Sequence, residues 1–127
     1  MIFCETGRLL CYFIPLPHDS PAKVIPLKVA FDYAPAAISY DPKESQIYWT
    51  DDYGNIYRSF LINGSQEAVA RGVSSPMDIE VDVIGRNVYF ADSNDNNIRV
   101  ASLNGSYQAV LVDVQNPHSI ALDSVDG

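Results

Sequence analysis

Length, composition and charge restrict what this chain can be. It has 127 residues, the size of one ordinary domain, and its 47% hydrophobic content is normal for a protein that buries a core, which excludes a disordered tail. Sixteen acidic and eight basic side chains give a formal net charge of -8, and no cluster of Lys and Arg interrupts it. Since phosphate backbones are bound by basic patches, we expect no nucleic acid partner and favour a basic protein ligand.

The N-terminal residues and the two cysteines say little about where in or outside the cell the protein is found. The first ten residues contain Glu5 and Arg8, so they lack the uninterrupted apolar stretch of a signal peptide, and we expect any export signal to lie outside this sequence. No window approaches the apolar length of a membrane span, so we expect no direct membrane insertion by this segment. Cys4 and Cys11 lie in a stretch with β-strand character. A disulfide between adjacent antiparallel strands and two buried thiols are both compatible with it.

A period of 41 residues runs through the chain without gaps. The segment Ile-Tyr-Trp-Thr-Asp at 47–51 returns as Val-Tyr-Phe-Ala-Asp at 88–92. The same offset relates three prolines, three isoleucines, three aspartates and two Asn-Gly-Ser turns: Pro35, Pro76, Pro117; Ile38, Ile79, Ile120; Asp41, Asp82, Asp123; 63–65 and 104–106. A fixed period near forty residues indicates stacked units that cannot bury their apolar faces alone.

Each repeat is predicted to contribute four strands. Apolar side chains stand at every second residue in 38–41, 79–82 and 120–123, as in a strand with one packed face. Solid aromatic runs around Tyr48-Trp49 and Tyr89-Phe90 form second strands covered on both faces. Third strands follow at 57–62 and 98–103, and the Asn-Gly turns lead to fourth strands at 67–71 and 108–112. Four antiparallel strands per repeat, with no helical periodicity, indicate a β-propeller blade.

The period also predicts the organisation of the whole chain. The N-terminal stretch fits the repeat from its second strand onward, and the C-terminal stretch contains a first strand alone. We therefore predict an incomplete first blade and connector at 1–33, repeats at 34–74 and 75–115, and the first strand of a further repeat at 116–127. The total is about three blades' worth of an all-β fold.

The sequence around the second strand resembles a known family. Tyr48-Trp49-Thr50-Asp51, with the preceding Tyr-Asp-Pro at 40–42 and the following Asn-Gly-Ser, resembles the class B (YWTD) repeat of the low-density lipoprotein receptor family, over roughly residues 24–127. The second repeat keeps Tyr89 and Asp92 but has Phe90 and Ala91 in place of Trp and Thr. The resemblance implies that these motif residues are structural, with the aspartates, Asp51 and Asp92, hydrogen-bonded to neighbouring backbone.

The resemblance also implies an architecture and a role. Six such blades close into a ring in this family, so three blades are half of a propeller and leave sheet faces to be covered. The remaining blades of a longer secreted or membrane-anchored protein, or a second copy of the chain, would cover them. The implied function is a non-catalytic, extracellular or cell-surface module that binds a protein ligand, as in lipoprotein receptors and Wnt co-receptors.

Strand directions divide the turns between two faces. Turns between second and third strands share a face with the connectors between repeats, and on this face we predict ligand contacts at five residues: Asp52, Tyr53, Met77, Asp95 and His118. Taken singly, each also fits a solvated turn residue or, for Met77, packing beneath a connector. The opposite face holds the sequons at Asn63 and Asn104, which we predict as N-glycosylation sites; turn geometry alone is the alternative explanation of Asn-Gly.

Two other functional classes remain open. Propellers that resemble this architecture include metal-dependent lactonases, which need several carboxylates and amides converging on the central channel; here the positions nearest the axis are mostly apolar or small. A purely architectural spacer in an extracellular matrix protein is the other alternative. No nucleophilic triad or Gly-rich phosphate loop is evident, so we expect no catalytic residues, no metal and no cofactor.

Overall fold

The chain forms antiparallel β-sheets. The computed structural model describes residues 37–51, 53–60 and 64–123, together with the backbone of three short strands nearer the N-terminus. Those three strands are β1 (Ile2–Cys4), β2 (Cys11–Phe13) and β3 (Ile25–Pro26), which pair in the order β1-β2-β3. In this pairing Cys4 lies directly opposite Cys11.

Two four-stranded sheets follow. The first contains β4 (Ile38–Asp41), β5 (Gln46–Thr50), β6 (Ile56–Phe60) and β7 (Gln66–Ala70), each paired with the next. The second contains β8 (Pro76–Asp82), β9 (Asn87–Asp92), β10 (Asn97–Ser102) and β11 (Gln108–Asp113) in the same arrangement. The predicted all-β fold with four-stranded antiparallel blades is confirmed. We call the two sheets the first and second blade.

The core lies between the two blades. Strand β5 is buried along its whole length, and its Tyr48 side chain packs in the core between the two blades. The innermost strands β4 and β8 lie side by side. Side chains from both blades form one cluster: Tyr48, Ile56, Val69, Ala70 and Val73 from the first, and Ile79, Val88, Phe90, Ala101 and Leu103 from the second.

The two blades differ in register although their sequences repeat without gaps. In the first blade Tyr48 pairs with Arg58, whereas in the second blade Tyr89 pairs with Val100 and Arg99 pairs with Phe90. The turn before β6 spans 51–55, and the turn before β10 spans 93–96, which is one residue shorter. A shift of one residue exchanges the faces of a strand. Arg58 therefore shares a face with Tyr48, while Arg99 lies on the other face of its own blade.

Residues 120–123, predicted as a first strand, form no strand in the structure. The Ile120 N–H donates a 2.8 Å hydrogen bond to Asp78 Oδ2 on β8, so the segment lies beside the second blade. A strand is defined by a ladder of backbone bonds to a neighbour, and in the part of the chain that the structure describes this segment pairs with no strand in such a ladder.

Candidate functional site

Four of the five predicted ligand-contact residues lie on the face where strands β5 and β9 end. We call this surface the loop face and define it by the turns 51–55 and 93–96 and the connectors 71–77 and 114–118. Tyr53 is 69% exposed and Met77 is 41% exposed, while Asp95 and His118 are exposed as well. Asp52 lies outside the described residues. The loop face thus displays aromatic, apolar and acidic side chains to solvent.

Asp51 organises the turn that presents Tyr53. Its Oδ1 accepts hydrogen bonds from the backbone N–H groups of Tyr53 and Asn55, both at 2.9 Å, and its Oδ2 accepts one from Asn55 Nδ2 at 3.0 Å. Burial alone would raise the pKa of Asp51, but the hydrogen bonds from Asn55 and Tyr53 outweigh it and lower the pKa. The carboxylate is therefore held ionised by the turn that it closes.

Asp92 joins a connector to the equivalent turn of the second blade. Its fully buried carboxylate accepts N–H groups from Ser74 at 2.9 Å and Ser75 at 3.1 Å in the connector. It also accepts the N–H groups of Asn94 and Asp95, both at 3.2 Å, in the turn. With four backbone donors around it, this carboxylate ties together two segments of the loop face.

Further backbone contacts link the loops laterally. Val73 N–H donates to Gly54 O at 3.1 Å, Ser93 N–H to Ser75 O at 3.1 Å, and Val114 N–H to Asn96 O at 3.0 Å. A Cβ on Gly54, whose φ is +83°, would come within 2.0 Å of the Val73 oxygen, so this contact requires glycine. The loops are thus braced against one another, and the exposed side chains project from a fixed support.

The Tyr and Trp of the YWTD segment are structural. The hydroxyl of fully buried Tyr48 donates to Gln46 Oε1 at 2.9 Å and lies 3.4 Å from the Leu103 carbonyl oxygen in the second blade, while burial raises the Tyr48 pKa. Trp49 Nε1 donates to Ser59 Oγ at 3.0 Å, and its ring stacks on Tyr57 at 4.7 Å between centroids. Both rings therefore join strands or blades.

Thr50 closes the same strand. Its Oγ1 accepts the Ala37 N–H at 3.0 Å, and its own N–H donates to the Ala37 oxygen at 3.1 Å. In the second blade, Phe90 and Ala91 are fully buried, whereas Tyr89 is partly exposed on the face turned away from the first blade. Phe90 and Ala91 have no polar side-chain atoms, so these replacements of Trp and Thr need no hydrogen-bond partner.

A groove that the sequence did not indicate lies on the opposite face, between the two blades. It has a volume of about 420 Å³ and is lined by residues of both: Glu44, Gln46, Arg58, Phe60, Arg86, Ser102, Leu103, Asn104 and Ser106. Arg58 pairs with Glu67 and donates to the Leu103 oxygen at 2.9 Å. The groove depends on the register shift, because the shift turns Arg58 towards the second blade, and no local sequence pattern reports it.

A partly buried ion pair supports one wall of this groove. Arg86 Nη2 lies 2.8 Å from Oδ2 of Asp41, which is fully buried at the end of β4. The hydrogen bond to Asp41 raises the pKa of Arg86, so the guanidinium is firmly charged. Asp41 comes from the first blade and Arg86 from the second, so the pair fixes the blades to each other.

Comparison with known proteins found similarity in sequence and in structure. No family model matches the chain. A stretch of 53 residues, 40% of the chain, is 42% identical to low-density lipoprotein receptor-related protein 5 of Mus musculus and of Homo sapiens, and covers 3% of each. The structure superposes on a chain of the nidogen/laminin complex with a TM-score of 0.72 and 29% identity, over 94% of this chain and 48% of that one.

Together, these matches support low-density lipoprotein receptor class B (YWTD) repeats in this chain. It spans about half of the matched chain of the nidogen/laminin complex and a small part of the matched receptor-related proteins. The matched proteins support a location at the cell surface or in the extracellular space for this chain. Within the part of the chain that the structure describes, there is no apolar helix of membrane-spanning length.

Only one of the two sequon asparagines lies among the described residues. Asn63 lies outside the described residues. Asn104 is exposed in the turn between β10 and β11, where its Oδ1 accepts the Ser106 N–H at 3.0 Å and the Ser102 hydroxyl at 2.9 Å. This turn is on the groove side of the molecule, opposite the loop face.

Proposed function

We propose that the chain is a non-catalytic, extracellular protein-binding module of a receptor-like protein, and that it holds its ligand on the loop face. The observation that carries this proposal is the bracing of the turns 51–55 and 93–96 through Asp51, Asp92 and the connector backbone, with Tyr53 and Met77 exposed above them. A rigid surface loses little conformational entropy on binding, and exposed aromatic residues are common anchors of protein interfaces.

Charge favours a basic ligand. The formal net charge of -8 gives the molecule a negative field, and Asp95 adds a carboxylate to the loop face itself. A ligand segment with Lys or Arg would be steered towards this surface and would pair with Asp95, on the same face as the Tyr53 ring. The matched nidogen chain forms a complex with laminin, which supports a protein ligand for this chain as well.

A non-catalytic role is supported by how the carboxylates are used. Asp51 and Asp92 are enclosed by backbone and side-chain donors, which suits structural hydrogen bonding better than proton transfer or metal binding. In the ranges 37–51, 53–60 and 64–123, no group of three or more His, Cys, Asp or Glu side chains is placed to hold a metal ion.

Further blades are part of the proposed functional unit. The second blade turns Tyr89 away from the first blade, and its last strand exposes apolar side chains, among them Val112 at 47%. We propose that blades of the same kind cover this face. Light scattering of the secreted chain tests this. A monomer supports further blades from the same protein, whereas a stable species of twice the 14.0 kDa mass shows that a second copy covers the face.

Binding tests the loop face directly. The wild-type chain, secreted with an added signal peptide, is immobilised and probed with laminin and with an array of Lys- and Arg-containing peptides. We expect the double variant Tyr53→Ala/Asp95→Asn to lose binding by about tenfold or more, because an aromatic anchor and a charge partner are removed together.

A matched control lies on the opposite face. Ile84 is 65% exposed and Glu44 is exposed, so Ile84→Ala/Glu44→Gln removes comparable apolar area and charge without touching the loop face. This variant should bind as the wild type does. Equal loss in both double variants, or binding unaffected by either, would show that the ligand does not use the loop face.

A further inference from the structure

The sequon at Asn104 adjoins the groove between the blades. Asn104 and Ser106, the first and third residues of the sequon, both line the groove, and both are exposed. Any group attached to the Asn104 side chain therefore begins at the rim of a cleft of about 420 Å³, a volume in the range of small-molecule sites.

The turn that carries Asn104 is held in place. Gly105 has a φ of +76°, and a Cβ there would lie 3.3 Å from the backbone of Val69 on β7, so the turn packs closely against the first blade. The Tyr107 hydroxyl also donates to Asn87 Oδ1 at 2.8 Å. The attachment point is consequently fixed relative to both walls of the groove.

The hydrogen bonds of Asn104 are compatible with modification. The bonds from Ser106 N–H and Ser102 Oγ both end on Oδ1 of Asn104. A sugar attached to Nδ2 leaves the carbonyl oxygen as an acceptor, so the turn can keep its conformation after modification.

The groove has the chemistry of a sugar site. Phe60 offers an apolar surface on one wall, while Glu44, Gln46 and Arg58 offer donors and acceptors. An N-acetylhexosamine combines an apolar ring face and an acetyl methyl with hydroxyl and amide groups, and so matches a wall of mixed character.

We propose that Asn104 carries an N-linked glycan whose innermost N-acetylglucosamine lies in this groove. In the transfer step, Nδ2 of Asn104 bonds to the anomeric carbon of a lipid-linked diphosphate oligosaccharide. The bond from that carbon to the diphosphate oxygen breaks, the lipid diphosphate leaves, and Nδ2 loses one proton. The product is a secondary amide with its Oδ1 unchanged.

The consequence is a sugar that contacts both blades. Arg58 and Phe60 belong to the first blade, and Ser102 and Leu103 to the second, so a residue seated among them adds contacts across the interface. The glycan also closes this face to protein partners. This inference stands independently of ligand binding on the loop face.

Mass spectrometry and NMR of the full chain test it. The chain is secreted from mammalian cells as Ser65→Ala, which removes the other sequon, and the glycan is trimmed enzymatically to one N-acetylglucosamine. We expect a mass increase of one such sugar at Asn104 and its loss in Asn104→Gln. We also expect nuclear Overhauser contacts from the acetyl methyl to Phe60 ring protons and Leu103 methyl protons.

Stability gives a second readout that does not depend on NMR assignment. The singly glycosylated protein should melt about 2 °C or more above the same chain produced without the sugar and with Asn104 intact, because that chain lacks the contact between the blades. An unmodified Asn104 overturns the proposal. If Asn104 is modified but the acetyl methyl of its sugar shows no contact to Phe60 or Leu103, and the Tm is the same with and without the sugar, the seating of the sugar in the groove is overturned.

Discussion

Asp92 Oδ2 lies 2.9 Å from the backbone nitrogen of Ser74, and this contact ties the strand end of the second blade to the connector between the blades. Asp92→Ala leaves four backbone N–H groups without their acceptor. We expect the free energy of unfolding to fall by about 3 kcal/mol, since several partly buried donors lose their acceptor together. Urea unfolding measures it. Asp95→Ala, an exposed neighbour, should change stability by no more than about 0.5 kcal/mol, and equal losses would contradict the role given to Asp92.

Tyr48→Phe tests the hydroxyl at the contact between blades. The hydroxyl donates to Gln46 Oε1 at 2.9 Å, and Tyr48 is fully buried. Removing the hydroxyl therefore leaves this oxygen without its donor. We expect a loss of about 1–2 kcal/mol in the free energy of unfolding, with the fold unchanged by circular dichroism. The control is Tyr89→Phe, one repeat later, where the side chain is partly exposed and the change should be within about 0.5 kcal/mol. A larger loss of stability in Tyr89→Phe than in Tyr48→Phe would show that the Tyr48 hydroxyl does not stabilise the contact between the blades.

Arg86→Met tests the ion pair between the blades. It leaves the fully buried Asp41 carboxylate without its cation. Breaking a fully buried pair costs roughly 3–5 kcal/mol, and because the Arg86 side chain is 31% exposed and solvent screens it, we expect about 2 kcal/mol by urea unfolding.

A second substitution separates charge from packing at this pair. Asp41→Asn in the Arg86→Met background removes the unpaired buried charge, so it should recover part of the lost stability. Arg71→Met, at an exposed arginine, should be close to neutral. A double variant that is less stable than Arg86→Met would rule out the unpaired charge as the cause.

The lowered pKa of Asp51 predicts a dependence of stability on pH. Burial opposes ionisation, but the hydrogen bonds from Asn55 and Tyr53 bring the folded-state pKa below the unfolded value of about 3.9. The stability that this ionised carboxylate contributes is therefore present above that pH and is lost as the pH falls through the folded-state pKa.

Asn55→Ala removes the amide that donates to Asp51 Oδ2 and should move the acid-unfolding midpoint to higher pH. Circular dichroism during an acid titration measures this midpoint. The control is Asn94→Ala, since Asn94 contacts Asp92 through its backbone N–H, which the substitution keeps. An unchanged midpoint in Asn55→Ala would show that the side-chain bond does not govern the titration of Asp51.

The repeat made the blades predictable. The 41-residue period, the alternation at 38–41 and the aromatic run at 48–49 predicted four antiparallel strands per blade, and the strand ends in the structure differ from the predicted ends by a few residues. Local patterns carry this information because strand burial and tight turns are properties of short segments. The ligand contacts on the loop face and the glycan at Asn104 stay predictions; Asp52 and Asn63 lie outside the described residues.

The sequence by itself determined the blade as a unit, the residues of its core strands and the face on which each turn lies. Only the tertiary structure decided the partners of Asp92, the pair between Asp41 and Arg86, and the one-residue difference in register that turns Arg58 towards the second blade. These features join residues that are far apart in sequence, and the register follows from how each turn packs against its neighbours. The 41-residue period is the same in both repeats, so it cannot predict which side chains of the third strands, β6 and β10, face the neighbouring blade.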